Sequence, residues 1–203
     1  MNKPQNPWDE RYGNTPEYYY GTEPNDFLRE QAALLRPGAE VLSLAEGEGR
    51  NAVFLATLGL KVTAVDGSEA GLKKLDQLAR QKGVQVMTRV ADLSQFEIGQ
   101  GCWDAIVSIW CHLPPALRRK VHRGCVDGLR SGGLMILESY TPDQLKYKTG
   151  GPPSAEMLST AASLREELDG LGFEKLEERI REVREGRGHH GMSAVVQLVG
   201  RKP

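Results

Sequence analysis

The chain has 203 residues, with 26 lysines and arginines against 27 aspartates and glutamates. That length suits a single domain over 1–203 with a sizeable core and leaves little room for a separate substrate domain. The balanced charge lacks the basic excess by which nucleic-acid binders are read. Three cysteines without a C-x-x-C pair, no apolar leader core and no run of about 18 uncharged apolar residues predict a cytoplasmic protein with reduced thiols and no membrane span.

Residues 1–24 are polar, rich in Pro, Gly and Asn, and lack apolar periodicity, so they read as a loop-like arm ahead of an α/β core over 25–203. Six aromatic residues fall within the first 27 positions, a skew that marks the arm. Asn25 or Asp26 then caps a short helix with Phe27, Leu28, Gln31, Leu34 and Leu35 near one face, closed by Arg36-Pro37-Gly38. Strands are expected at 39–45, 61–66, 84–92, 102–110 and 133–140, with helices at 50–59, 68–83 and 114–130 between them. Short apolar strands alternating with helices specify a parallel, doubly wound sheet. A helix over 154–172 follows, and then strands at 173–186 and 192–203 joined by a Gly/His-rich turn at 186–191. These two strands form a hairpin, so a mostly parallel seven-stranded sheet is expected to end antiparallel.

The segment Glu46-Gly47-Glu48-Gly49-Arg50-Asn51 leaves the first strand and opens the next helix. In open α/β sheets ligands bind beyond the carboxyl ends of the strands, and this turn lies there. Gly47 and Gly49 lack Cβ atoms where the backbone turns sharply and can approach a ligand. Read as G-x-G-x-x-A, the motif fits NAD or FAD as well as other nucleotides. Asp66 ends the second strand nineteen residues after Gly47, where a carboxylate accepts ribose hydroxyls or, beside Gly67, simply caps the helix of Ser68. Asp92 ends the third strand; it either takes an adenine amine, with Leu93 against the ring, or caps a turn.

Taken together, the arm residues Trp8-Asp9-Glu10-Arg11-Tyr12 and Tyr20-Gly21-Thr22-Glu23-Pro24-Asn25, the turn from Val41 to Asn51, Val62 to Asp66, Ala91-Asp92-Leu93, Trp103 to Ser108 and Gly132-Gly133 resemble class I S-adenosylmethionine-dependent methyltransferases. Within them the chain is most similar to the small-molecule group that includes tellurite-resistance and thiopurine methyltransferases. The resemblance implies S-adenosylmethionine as cofactor, bound by Trp8, Tyr12, Tyr20, Ala45, Glu46, Gly47, Gly49, Arg50, Asn51, Asp66, Gly67, Ser68, Asp92, Leu93, Ile109 and Trp110. One departure stands out. The family's first motif reads D-x-G-C-G-x-G, and here Ser43 replaces the acid, Ala45 the first glycine and Glu46 the cysteine. Glu46 is then the expected partner of the cofactor's ammonium, with Glu48 directed to solvent. Arg50 either pairs with the cofactor carboxylate or is an exposed first-turn arginine.

Methyl transfer is an in-line displacement that needs alignment and exclusion of water more than acid–base machinery. A soft sulfur, selenium or tellurium acceptor reacts in its ionised form, so the lack of a catalytic triad is no objection. The acceptor pocket is assigned to His112, Arg118, Tyr140, Gln144 and His189, with His112 and Tyr140 as candidate catalytic groups; His112 equally suits a loop anchor. His122 and Cys125 share a helix face, but two ligands make no zinc site, and no metal is expected. The aromatic arm suits a lid over the ligand, an oligomer contact or plain disorder. The partner is expected to be a small-molecule acceptor, with no nucleic acid or membrane, and the chain a monomer or homodimer. The rival readings are a non-catalytic S-adenosylmethionine or nucleotide sensor and an NAD(P)-linked oxidoreductase.

Overall fold

A computed structural model describes residues 6–203. Among them, seven strands, β1 (Glu40–Leu44), β2 (Lys61–Asp66), β3 (Met87–Val90), β4 (Trp103–Ile109), β5 (Leu129–Tyr140), β6 (Gly172–Glu185) and β7 (His189–Arg201), form one sheet in the order β3-β2-β1-β4-β5-β7-β6. The strands from β1 to β5 pair in parallel, and β7 runs antiparallel between β5 and β6. The helices are α1 (Pro7–Gly13), α2 (Asp26–Gln31), α3 (Arg50–Thr57), α4 (Glu69–Lys82), α5 (Pro115–Gly128) and α6 (Ala161–Glu167). The expected mostly parallel sheet with a terminal hairpin is thus present.

Apolar runs in the central strands follow from burial on both faces. Val41, Ala64, Val107 and Ile136 pack toward Phe27, Leu55 and Leu75. Their neighbours Leu42, Val65, Ile106 and Met135 pack on the opposite side with Val121, Cys125 and Leu164. Neighbouring residues on a strand face opposite ways, so one apolar run feeds both cores. Because β2 and β4 lie on opposite sides of β1, the connections diverge there, and the carboxyl ends of β1 and β4 border a crevice.

Several boundaries differ from expectation. The arm is not a plain loop: Pro7–Gly13 is helical, and Tyr12 is buried. Asn6 accepts the Trp8 N–H at 3.1 Å and Pro7 takes the first turn, which are start signals that polar composition masks. Residues 1–5 of the expected arm lie outside the described residues. The third strand is only Met87–Val90, and Asp92 sits beyond it, accepting the Ser94 N–H at 2.8 Å in a turn of its own. The fifth strand starts at Leu129, where the helix expected to reach 130 has already ended. Of the helix expected over 154–172, only Ala161–Glu167 is α-helical; Thr160 and Ser163 form a capping box that starts it late. The hairpin turn is tighter than expected, which leaves His189 and His190 in β7.

Candidate active site

The turn after β1 sets the first wall. Ala45, Gly47 and Gly49 have φ of 50°, 61° and 93°, all in the left-handed region. A Cβ at Gly49 would run into the Leu75 side chain, and one at Gly47 would lie 2.7 Å from the Tyr12 hydroxyl, so both positions exclude a side chain. Ala45 holds the same backbone region without being glycine, at a cost of about 1 kcal/mol.

Glu46 turns back into this wall. One carboxylate oxygen accepts the N–H groups of Asn51 and Ala52, at 3.1 and 2.8 Å, at the start of α3, and the other accepts the Ser43 hydroxyl. Burial pushes its pKa up to about 7, against the opposing pull of Ser43 and those amides. Asp66 closes the second side, accepting Gly47 N–H at 2.8 Å and Ser68 N–H at 2.7 Å. Burial raises its pKa too, although both backbone bonds favour the charged form. Gly67 and Ser68 contribute from behind: Gly67 carbonyl accepts the Asn6 amide at 2.7 Å, and Ser68 donates to Asp9 at 2.6 Å.

Glu48 is not directed to solvent. It is buried, pairs with Lys74 at 2.8 Å and accepts the N–H groups of Tyr19 and Tyr20 at 2.7 and 3.3 Å. The side chain thus fastens the returning arm to the glycine-rich turn, a contact spanning too much sequence for local pattern to reveal. Arg50 is likewise no exposed arginine: it is buried and ion-paired with Glu185.

The opposite wall is aromatic. Trp110, just past β4, stacks on Tyr140 at 4.3 Å between centroids and on His189 at 5.0 Å, and His189 stacks on Tyr20 at 4.7 Å. Tyr140 is fully buried, and its hydroxyl meets His189 Nδ1 at 2.7 Å. His112 Nε2 accepts the Tyr140 N–H at 3.2 Å. Burial lowers the pKa of His112 to about 4 and that of His189 to about 3, so both rings are neutral near pH 7. With Nε2 occupied as an acceptor, His112 carries its proton on Nδ1.

A cavity of about 510 Å³ lies between these walls. Trp8, Tyr12, Tyr20, Ala45, Glu46, Arg50, Asn51, Asp66, Ile109 and Trp110 line it, together with His112 and His189. Gly47, Gly49, Gly67 and Ser68 shape the backbone beside it without lining it. Asp92 and Leu93 are not brought to it; Leu93 borders a separate hollow beside α5. Tyr140 and Gln144 stand behind the wall, Gln144 fixing Thr149 at 2.9 Å and the Ala194 N–H at 2.9 Å. Arg118 does not reach the cavity either. Its guanidinium grips Glu167 at 2.9–3.1 Å and the carbonyls of Glu156 and Leu158, stapling α5 to α6.

His122 joins the same carboxylate through Nδ1 at 2.7 Å, so its partner is Glu167. Among the described residues no group of three or more His, Cys, Asp or Glu could hold a metal ion, and no helix is long and apolar enough to cross a membrane. Sequence reasoning missed Arg11, Cys111, Leu113 and Met157, which also line the cavity. Arg11 offered a signal, lying one turn from Trp8 in the aromatic arm, and its guanidinium sits 4.7 Å from the centre of the Trp8 ring.

A family model described as a methyltransferase domain matches residues 41–133. The chain is 30% identical over 142 residues to a ubiquinone biosynthesis O-methyltransferase of Caulobacter sp. strain K31, covering 64% of this chain and 56% of that protein. It therefore spans little more than half the length of that relative. Among solved structures, one described for the conversion of a disulfide bond into a thioacetal group during echinomycin biosynthesis superposes with a TM-score of 0.77 at 18% identity, covering 96% of this chain and 90% of that one. TehB from Haemophilus influenzae superposes with a TM-score of 0.71 at 19% identity, covering 97% of this chain and 67% of its own. The strand order and these superpositions give the chain the α/β fold of class I methyltransferases, and its residues 41–133 match the methyltransferase domain model.

Proposed function

We propose that the protein transfers the methyl group of S-adenosylmethionine to a small-molecule acceptor, with a soft sulfur, selenium or tellurium nucleophile as the favoured class. The observation that carries this reading is one cavity joining two buried carboxylates, Glu46 and Asp66, to a wall of aromatic rings and uncharged imidazoles. The cavity volume of about 510 Å³ falls in the range of small-molecule sites. The residues fit the cofactor: Asp66 faces the cavity where ribose hydroxyls would be held, Glu46 offers a carboxylate to an ammonium, and the bare Cα atoms of Gly47 and Gly49 keep the turn compact. When bound, S-adenosylmethionine supplies an electrophilic methyl group on a sulfonium.

The residues around the acceptor side orient and desolvate rather than ionise. His112 and His189 are neutral, and each already has a ring nitrogen engaged with Tyr140. An acceptor that arrives ionised, such as a thiolate, needs no base from such a wall. Balanced charge favours a small acceptor over nucleic acid, and three free cysteines suit a reducing cytoplasm. Methyl-labelled cofactor incubated with alkyl and aromatic thiols, selenite, tellurite and a catechol tests the reading. Label is expected in the sulfur or chalcogen acceptors; transfer to the catechol alone would overturn the soft-nucleophile class, and cofactor binding without transfer to any acceptor would favour a sensor.

A further inference from the structure

Trp110 has φ of 58°, a left-handed backbone that bulky residues rarely adopt. Such a conformation persists only where its surroundings over-determine it. Its N–H donates to the Glu138 carbonyl at 2.9 Å, its ring is stacked against Tyr140 and His189, and its indole N–H donates to Glu185 at 2.6 Å. The same oxygen of Glu185 pairs with the Arg50 guanidinium. The second oxygen accepts Asn25 Nδ2 at 2.8 Å and lies 3.5 Å from Arg181.

Behind it Glu138 takes Arg181 at 2.7 and 2.9 Å, Asn25 at 2.6 Å and Gln197 at 2.7 Å. Two arginines thus balance two buried glutamates across α2, α3, β5, β6 and β7. Burial alone would raise the Glu185 carboxyl, but the Arg50 charge and the indole donor outweigh it and hold it below the ordinary range.

Packing alone does not call for this arrangement, since apolar side chains of similar volume serve a core as well as a buried ion pair does. What distinguishes Glu185 is where its donors stand. Trp110 and Arg50 both line the cavity, one on the aromatic wall and one beside the glycine-rich turn, whereas Glu185 does not line it. Resting on the proposed reaction, we infer that Glu185 is a positioning residue: a single carboxylate at the end of β6 fixes the indole plane of Trp110 toward the acceptor and the guanidinium of Arg50 toward the cofactor. The terminal hairpin thereby sets both halves of a site whose motifs all lie in the parallel part of the sheet.

The test compares wild type, Glu185→Gln and Trp110→Phe by the indole N–H resonance of Trp110, by calorimetric affinity for S-adenosylhomocysteine, and by kcat and KM for the acceptor found above. The resonance is assigned as the one lost in Trp110→Phe. Glu185→Gln is expected to move it upfield, to weaken S-adenosylhomocysteine binding several-fold and to lower acceptor kcat/KM on the order of tenfold. Trp110→Phe keeps an aromatic ring and the Arg50–Glu185 pair, so it is expected to raise acceptor KM more than it weakens cofactor affinity. An unmoved resonance in Glu185→Gln, or a Trp110→Phe enzyme with wild-type acceptor KM, would overturn the inference. Should Glu185→Gln fail to fold, the Trp110→Phe kinetics decide. A wild-type protein that neither binds S-adenosylhomocysteine nor transfers a methyl group would instead remove the proposed reaction, and the inference resting on it, whatever the resonance does.

Discussion

The Ser43 hydroxyl donates a hydrogen bond to the Glu46 carboxylate, across the turn that follows β1. Serine occupies the position where the resembled family carries its acid, and the Glu46 carboxylate three residues on lies in the wall of the cavity. Asn51 and Ala52 N–H groups then hold it at the start of α3, where unpaired amides and the helix dipole favour an anion.

Glu46 makes the site sensitive to pH near neutrality. Its pKa of about 7 means that protons occupy it progressively as pH falls below 7. A cationic ammonium favours the ionised form, so affinity for S-adenosylhomocysteine is expected to fall as pH drops below 7, by up to about tenfold per unit. Stability runs the other way. The folded pKa lies above the ordinary 4.5, so the unfolded chain ionises first, and stability declines as pH rises from 4.5 to about 7, by on the order of 3 kcal/mol in all. Glu46→Gln is expected to flatten both profiles, measured by calorimetry and by urea unfolding between pH 5 and 8.

Ala45 carries backbone strain that glycine would not. Ala45→Gly is expected to stabilise the protein by about 1 kcal/mol, seen as a rise in Tm of about 2–4 °C. An unchanged or lower Tm would show that the greater freedom of glycine in the unfolded chain offsets the relief.

Asp66 holds two backbone amides as well as facing the cavity. Asp66→Ala is expected to weaken S-adenosylhomocysteine binding by about 1.5–3 kcal/mol, the range for hydrogen bonds to a charged group. It should also lower stability by about 1 kcal/mol through the freed amides. Calorimetric titration alongside a thermal melt separates the two losses.

The arm is held at Glu48, at Lys74, which donates to the Glu17 carbonyl at 2.7 Å, and at Arg187, whose N–H donates to the Tyr19 carbonyl at 2.8 Å. Such a latch suits a lid that closes over bound ligand. Hydrogen exchange in residues 8–20 is expected to slow when S-adenosylhomocysteine is added and to quicken in Glu48→Gln. Equal exchange with and without it would leave the arm a fixed wall.

The parallel sheet was legible because strands buried on both faces write continuous apolar runs, and the hairpin because β6 and β7 are long and closely joined. Asp66 and the glycine-rich turn were legible because strand ends and missing Cβ atoms leave local marks. Glu185 left none: in a stretch alternating arginine and glutamate it looks like one more solvated charge, and only the crossing from β6 to α3 shows its partner. Arg118 misled for the converse reason, since its role depends on Glu167, 49 positions away. The helix at Pro7–Gly13 was hidden by its composition, because one buried tyrosine leaves no apolar periodicity.

The most direct test of the account is a calorimetric titration of the wild-type protein with S-adenosylhomocysteine and, separately, with NADH. Saturable binding of S-adenosylhomocysteine to one site per chain, weakened in Asp66→Ala, is the predicted result. Binding of NADH with no heat from S-adenosylhomocysteine would contradict it and assign the cavity to a dinucleotide.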